Sequence, residues 1–364
     1  MPARHSLALV AGFAVALGAC SSGVSTAPTV GPSVGPSVGP SVSPSASAPS
    51  ASSGSSSPVA SGTPTSLVVG LGYIPSVQFA QFYLADQEGA YRDAGLSVTL
   101  QNKIDPDLVT LVGQGAIDIG EADGTSVIPA VSQGIPIRYG ATIYGTNPSI
   151  VFAKVSSGIR TAADLKGKRI GIPGKYGSSW IMLQALLASV GLTPDDVTIV
   201  LYPDYGQAVA VEQGAVDAAT GFANNEPVQL QLKGEQLVVL TTPPSTPLPG
   251  PGLIVSNATI AAKGDALRSF VAATLKAMDE IAADPQKGLD AAVKAVPDLG
   301  KDPKTQMAIL KATIDVWKAA GASAPYGTLD RAGWTSSIAF MTKLGLVPKA
   351  VGVDDVVTDQ LLAK

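Results

Sequence analysis

From residue 67 onward, short apolar runs alternate with longer amphipathic ones, and this alternation confines the chain to α/β architectures. Residues 67–71 read as a strand. Residues 78–90 read as a helix, with Phe79, Phe82 and Tyr83 at i, i+3, i+4 spacing. A further helical turn ends at Gly95, and Leu96, Val98 and Leu100 alternate as in a strand. Residues 105–114 read as a helix that opens with Asp105-Pro106, a capped start. Residues 116–119 read as a short strand, 125–133 as a helix stopped by Gly134, and 135–143 as a strand. This rhythm predicts mostly parallel sheet covered by helices.

A weak internal repeat sharpens the picture. Gln114-Gly115-Ala116-Ile117-Asp118 recurs as Gln213-Gly214-Ala215-Val216-Asp217. Each copy follows an apolar helical stretch and leads through a short strand to a polar tip. The tips are Glu121-Ala122-Asp123-Gly124 and Gly221-Phe222-Ala223-Asn224-Asn225-Glu226. Two similar lobes are expected, with strand ends that face one another. In open α/β sheets, ligands bind just beyond the carboxyl ends of the strands.

The first 65 residues have a different character. Arg4 precedes an apolar or small-residue stretch over 7–19. That stretch is shorter than the roughly 20 residues of a spanning helix and suits a signal sequence. It ends in Leu17-Gly18-Ala19-Cys20, which resembles a bacterial lipobox, and Cys20 is the chain's single cysteine. The resemblance implies a signal peptide over 1–19 and an acylated Cys20. The protein would then be lipid-anchored on the extracytoplasmic face of the cell membrane. Residues 21–65 carry no charge and include three Val-Gly-Pro-Ser units from Val30. Such composition has nothing to bury, so 20–65 is read as a lipidated cysteine plus a disordered tether reaching about 35–40 Å. Gly31-Pro32-Ser33-Val34-Gly35 within it matches the GxSxG hydrolase pattern but has no strand–turn–helix context, so it carries no function.

Charge and composition exclude several classes. The chain has 24 Lys and Arg against 28 Asp and Glu, a net charge of −4, whereas a nucleic-acid partner favours a basic footprint. The single histidine is His5, inside the signal stretch. The body therefore lacks the usual general base, thiol nucleophile and metal-ligand set. No catalytic residue, metal or cofactor is expected.

Three segments carry a family resemblance: Gly72-Tyr73-Ile74-Pro75-Ser76-Val77-Gln78-Phe79-Ala80 with Phe82-Tyr83-Leu84-Ala85, residues 159–174 around Asp164-Leu165-Lys166-Gly167-Lys168, and Phe222-Ala223-Asn224-Asn225-Glu226-Pro227. The first two resemble the substrate-binding proteins of ABC importers, in the superfamily of sulfonate, nitrate, taurine and thiamine-pyrimidine binders. The third resembles the riboflavin-binding lipoproteins within it. The resemblance implies a two-lobe periplasmic-binding-protein (type II) α/β fold joined by two crossover segments. It puts lobe 1 at 66–154 and 255–364, lobe 2 at 155–254, and the crossovers near 150–153 and 253–255. Long helices from Asp265 onward would complete lobe 1, with Trp317 and Trp334 as core anchors. It also implies a membrane permease as partner, a monomeric binding protein and a small-molecule ligand. The same fold hosts pyrimidine synthases, which the resemblance associates with histidine and a cysteine-rich, iron-dependent motif. That enzyme is the distant alternative.

A small-molecule cleft combines aromatic walls with a few fixed polar groups. The strand tips offer Tyr73 and Gln78, Asp123 and Thr125 beside Ser126, and Tyr144 beside Asn147. The second lobe offers Tyr176, Ser178, Ser179 and Trp180, then Tyr205 between Asp204 and Gln207, and finally Asn224, Asn225 and Glu226. The glycines and serines of 175–180 leave backbone N–H groups free for a carbonyl or anion. Ser178, Ser179 and Asp123 also read as helix caps, and Tyr73 and Tyr205 as core covers. Of these tips only Lys175 is basic, and an anion site wants converging Arg or Lys. A planar heterocycle is favoured, riboflavin or a related flavin first. A thiamine pyrimidine precursor or a sulfonate is the alternative.

Overall fold

The computed structural model describes residues 63–244, 246–318 and 323–362. The signal stretch, Cys20 and almost all of the tether lie outside the described residues. The first strand, β1, spans Thr65–Leu71, and Thr65 already pairs with Leu96. The folded body thus starts slightly before the expected residue 66.

Two five-stranded sheets form the body. The first contains β1, β2 (Leu96–Asn102), β3 (Ile119–Ala122) and β4 (Ile137–Thr142). The second contains β5 (Ser149–Lys154), β6 (Arg169–Ile172), β7 (Thr198–Leu201), β8 (Ala218–Phe222) and β9 (Leu237–Leu240). The chain then returns to the first sheet as β10 (Gly252–Ser256). The orders are β2-β1-β3-β10-β4 and β7-β6-β8-β5-β9, one topology used twice. Pairing is parallel at β1 with β2 and β3, and at β6 with β7 and β8. It is antiparallel around β10 and β5. The sheets are therefore mixed rather than mostly parallel, because each inserts one strand from beyond a crossover. Residues 150–153 and 253–255, expected as crossovers, are strand. The chain passes between sheets over 143–148 and over the stretch from β9 to β10, and Asn147 ties these two together by donating from Nδ2 to Pro249 O at 3.0 Å.

The repeat has a structural cause. Gly115 and Gly214 adopt φ of 74° and 73° and turn the chain after a helix. Asp118 Oδ2 then accepts the Val68 N–H at 2.8 Å, and Asp217 Oδ2 accepts the Arg169 N–H at 2.8 Å. Each aspartate locks a neighbouring parallel strand, β1 or β6, to the turn before the central strand. This is also why β3 begins at Ile119 rather than at 116: residues 116–118 form the turn that delivers Asp118.

Helices cover both sheets. In chain order they are α1 (Ala80–Gln87), α2 (Ala90–Asp93), α3 (Asp105–Gly113), α4 (Gly124–Ser132), α5 (Gly177–Ala188), α6 (Gln207–Glu212) and α7 (Glu226–Leu232). After β10 come α8 (Asn257–Ala283), α9 (Pro285–Ala295), α10 (Pro303–Trp317), α11 (Arg331–Lys343) and α12 (Val353–Val356). The helix expected over 78–90 is interrupted. Val77–Phe79 is a 3-10 turn, and Gly89, with φ of 79°, separates α1 from α2. Phe82 and Tyr91 both stack on Phe270 of α8, at 6.1 and 4.9 Å between ring centres. Trp317 and Trp334 are buried in the two core clusters of the first lobe, as expected. Among the described residues, no helix is long and apolar enough to cross a membrane.

Candidate functional site

The carboxyl ends of β1, β3, β6 and β8 converge on one cleft between the lobes. Its non-atom volume, open mouth included, is about 800 Å3. Tyr73, Gln78, Asp123, Tyr144, Tyr176, Ser178, Ser179, Tyr205, Asn225 and Glu226 line it. Thr125, Trp180 and Asn224 do not. Thr125 is fully buried inside the first lobe. Trp180 packs against the core of the second lobe, with Lys175 Nζ 5.7 Å from its ring centre. Asn224 has turned away to join the lobes. Its Nδ2 donates to Gln78 Oε1 and to Thr313 Oγ1, each at 2.9 Å.

Asp105, read only as a helix start, and Phe79, read only as a helix residue, face the cleft, as do Glu121 and Phe222 from the two polar tips and Gln207 beside Tyr205. Asp105 Oδ1 accepts the Asp123 N–H at 3.0 Å, and Oδ2 accepts the Ser126 hydroxyl at 2.5 Å. Asp123 Oδ2 accepts the Ser178 N–H at 3.0 Å. The N-terminus of α5, expected to be open to an anion, is thus already occupied by a carboxylate of the opposite lobe. Gly177 suits the turn that opens α5, because its φ is 65°.

On the other side, Glu226 Oε2 accepts the Phe222 N–H at 2.8 Å and Oε1 accepts from Gln207 Nε2 at 3.3 Å. The carboxyl lies against Gly221, where a Cβ would come within 2.8 Å of Oε2. Asn225 Oδ1 accepts from Gln229 at 2.8 Å. Tyr73 of the first lobe meets Tyr205 of the second edge to face, at 4.8 Å and 87°. Tyr205 is the one non-glycine residue with positive φ among the described residues, at 61°. Such a backbone is uncommon for a bulky side chain and recurs at ligand sites.

Burial sets the protonation of the cleft. It pushes Glu121 up to about 8, with the neighbouring Asp123 charge adding to the effect. It pushes Glu226 up to about 7. Asp105 and Asp123 form a close pair, and burial holds both above the ordinary aspartate range. The phenol of Tyr144 is raised well above its usual value by burial, so it stays a neutral donor.

The NMT1/THI5-like family profile matches residues 76–288. The chain belongs to the NMT1/THI5-like family. Over 313 residues this family member is 31% identical to riboflavin-binding protein RibY of Chloroflexus aurantiacus, covering 84% of this chain and 88% of that one. It is 27% identical over 238 residues to a 4-amino-5-hydroxymethyl-2-methylpyrimidine phosphate synthase of Aspergillus parasiticus, covering 61% and 68%. The alkanesulfonate-binding protein SsuA of Xanthomonas axonopodis pv. citri, solved bound to MOPS, matches with a TM-score of 0.66 at 22% identity, covering 82% of this chain and 99% of that one. The fold is the two-lobe periplasmic-binding-protein (type II) α/β fold. In this NMT1/THI5-like protein the cleft lining contains four carboxyl groups and no Lys, Arg or His.

Proposed function

We propose that the protein is the extracytoplasmic solute-binding component of an ABC importer, capturing riboflavin or a related flavin between its lobes for a membrane permease. The observation that carries this reading is the lining itself. Tyr73, Phe79, Tyr144, Tyr176, Tyr205 and Phe222 provide flat apolar surface, and the polar groups are carboxyls, amides and hydroxyls without a cation. A flavin offers a flat ring to stack and a uracil-like edge to read. Aromatic pairing is worth about 0.5–1.5 kcal/mol beyond area burial. In this reading Tyr73, Tyr176 and Tyr205 are the stacking walls, and Asn225 with the Glu226 carboxyl reads the edge. Asn224, Thr125 and Trp180 act indirectly. The 31% identity to a protein named for riboflavin binding supports the choice. A sulfonate is disfavoured, because an anion would meet four acidic groups and no base.

The role is capture without chemistry. The chain's single histidine, His5, and its single cysteine, Cys20, both precede the described body. Acylation at Cys20 would hold the monomer at the membrane beside its permease. A thiamine pyrimidine precursor is the second reading, supported by the likeness to the pyrimidine phosphate synthase and by carboxyls able to accept an amino group. The test is to purify the protein from cells grown with flavin, denature it and identify what is released by absorbance and mass spectrometry. Stoichiometric release of a flavin supports the proposal. Release of an aminopyrimidine alone moves the protein to the second reading.

A further inference from the structure

We infer that the acidic floor made by Asp105, Glu121 and Asp123 receives the hydroxylated side chain of the flavin and excludes its phosphate ester, so the protein takes riboflavin and rejects riboflavin 5′-phosphate. This rests on the flavin reading and deepens it. The cleft has two polar ends of different kind. At one end Asn225 and Glu226 are already engaged, by Gln229 and by Phe222 N–H and Gln207. At the other end three carboxyls gather on the first lobe, faced by Ser178 and Ser179 at the start of α5.

An independent observation shows that this end is unfinished. Ser178 is 2% exposed, lines the cleft, and its Oγ has no hydrogen-bond partner. A buried hydroxyl without a partner is costly and is found where a ligand or water completes it. Carboxyl oxygens accept from a polyol's hydroxyls, and the serine hydroxyl beside them donates to it. They offer a phosphate no cation. A dianion there would be buried against three acidic groups whose charging burial already opposes, with no Lys, Arg or His in the lining to balance it, and the helix N–H best placed to bind it, that of Ser178, is donated to Asp123. A buried charge without a partner is costly, and ionising any of the three carboxyls beside it would add repulsion that little water screens. A ligand without the hydroxylated chain would leave the floor unpaired and lose the hydrogen bonds it offers.

The test titrates the full protein by calorimetry with riboflavin, riboflavin 5′-phosphate and lumichrome, which keeps the ring and lacks the chain. Riboflavin is expected to bind at least a hundredfold more tightly than its phosphate and at least tenfold more tightly than lumichrome. Asp123→Asn, checked for folding by circular dichroism, is expected to narrow the riboflavin-to-phosphate ratio by tenfold or more. Should it not fold, Ser178→Ala is expected to weaken riboflavin while leaving lumichrome unchanged. Phosphate binding within threefold of riboflavin overturns this inference alone, as does lumichrome binding as tightly as riboflavin. Failure of all three to bind the folded protein overturns the flavin reading and this inference with it.

Discussion

Asn224→Ala isolates the cost of lobe closure from ligand contact. Asn224 is 1% exposed and absent from the cleft lining, yet its amide bridges the lobes through Gln78 Oε1 and Thr313 Oγ1, each at 2.9 Å. Two such hydrogen bonds contribute about 1–3 kcal/mol net, and the Gln78 oxygen left buried without its donor costs a similar amount. Only the arrangement with the lobes together contains these bonds, so the loss falls on that arrangement and not on either lobe. A ligand held between lobes must supply what is lost. Its Kd is expected to rise about 5- to 150-fold, the equivalent of about 1–3 kcal/mol of coupling. The assay is calorimetric titration of the variant beside the native protein, with urea unfolding of the ligand-free protein as the control. A Kd within twofold of native, in a variant that folds normally, would refute the bridge as a determinant of closure.

Three further outcomes follow from the same geometry. Asp118→Ala is expected to destabilise more than Asp217→Ala: Asp118 accepts the Val68 N–H and pairs with Lys263 Nζ at 2.8 Å with 13% side-chain exposure, whereas the Arg169–Asp217 pair is about a third to a half exposed. About 2–3 kcal/mol against about 1 kcal/mol is expected by urea unfolding, and equal losses would contradict the burial argument. Tyr205→Gly removes the edge contact with Tyr73 but relieves a φ of 61°. Stability should therefore shift by less than about 1 kcal/mol while flavin affinity falls tenfold or more, and an unaltered affinity would remove Tyr205 from the site. Glu121 and Glu226 have folded values near 8 and 7, above the unfolded carboxyl range. Between about pH 4.5 and pH 8 the unfolded chain has therefore lost protons that the folded protein keeps, so stability falls as pH rises through this window. Tm should be higher at pH 5.5 than at pH 8 by about 2 °C or more, and a lower Tm at pH 5.5 would show that other groups dominate.

The doubled topology was legible because its cause is local. Gly-Ala-x-Asp marks a turn and supplies the carboxylate that ties a neighbouring strand, so Asp118 and Asp217 left the same mark twice. The inserted strands β5 and β10 left none, since their positions depend on where the chain crosses between sheets rather than on their own residues. Asp105 was hidden, whereas Glu121 was visible as part of a polar tip but was not singled out as a ligand group. Asp105 suits a helix start by its own chemistry, and nothing nearby says that Ser126 and Asp123 will close on it. Glu121 did leave a signal: it lies two residues after Ile119 on β3, on the same inward face, where an acidic residue is rare unless it has work to do. Asn224 was read as a ligand group because it sits in one polar tip with Asn225 and Glu226, whose amide and carboxyl groups suit a uracil-like edge. The turn into α7 sends it the other way, a choice made by Gln78 and Thr313 far off in sequence.

The most direct measurement is fluorescence titration of the purified, ligand-stripped protein with riboflavin, beside a hydroxymethylpyrimidine and an alkyl sulfonate. The account predicts quenching of riboflavin at one site per chain with a Kd below about 10 μM, roughly −7 kcal/mol, and no comparable binding of the sulfonate. Tight binding of the sulfonate, with riboflavin left unquenched, would contradict the reading of an aromatic, acidic cleft built for a flavin.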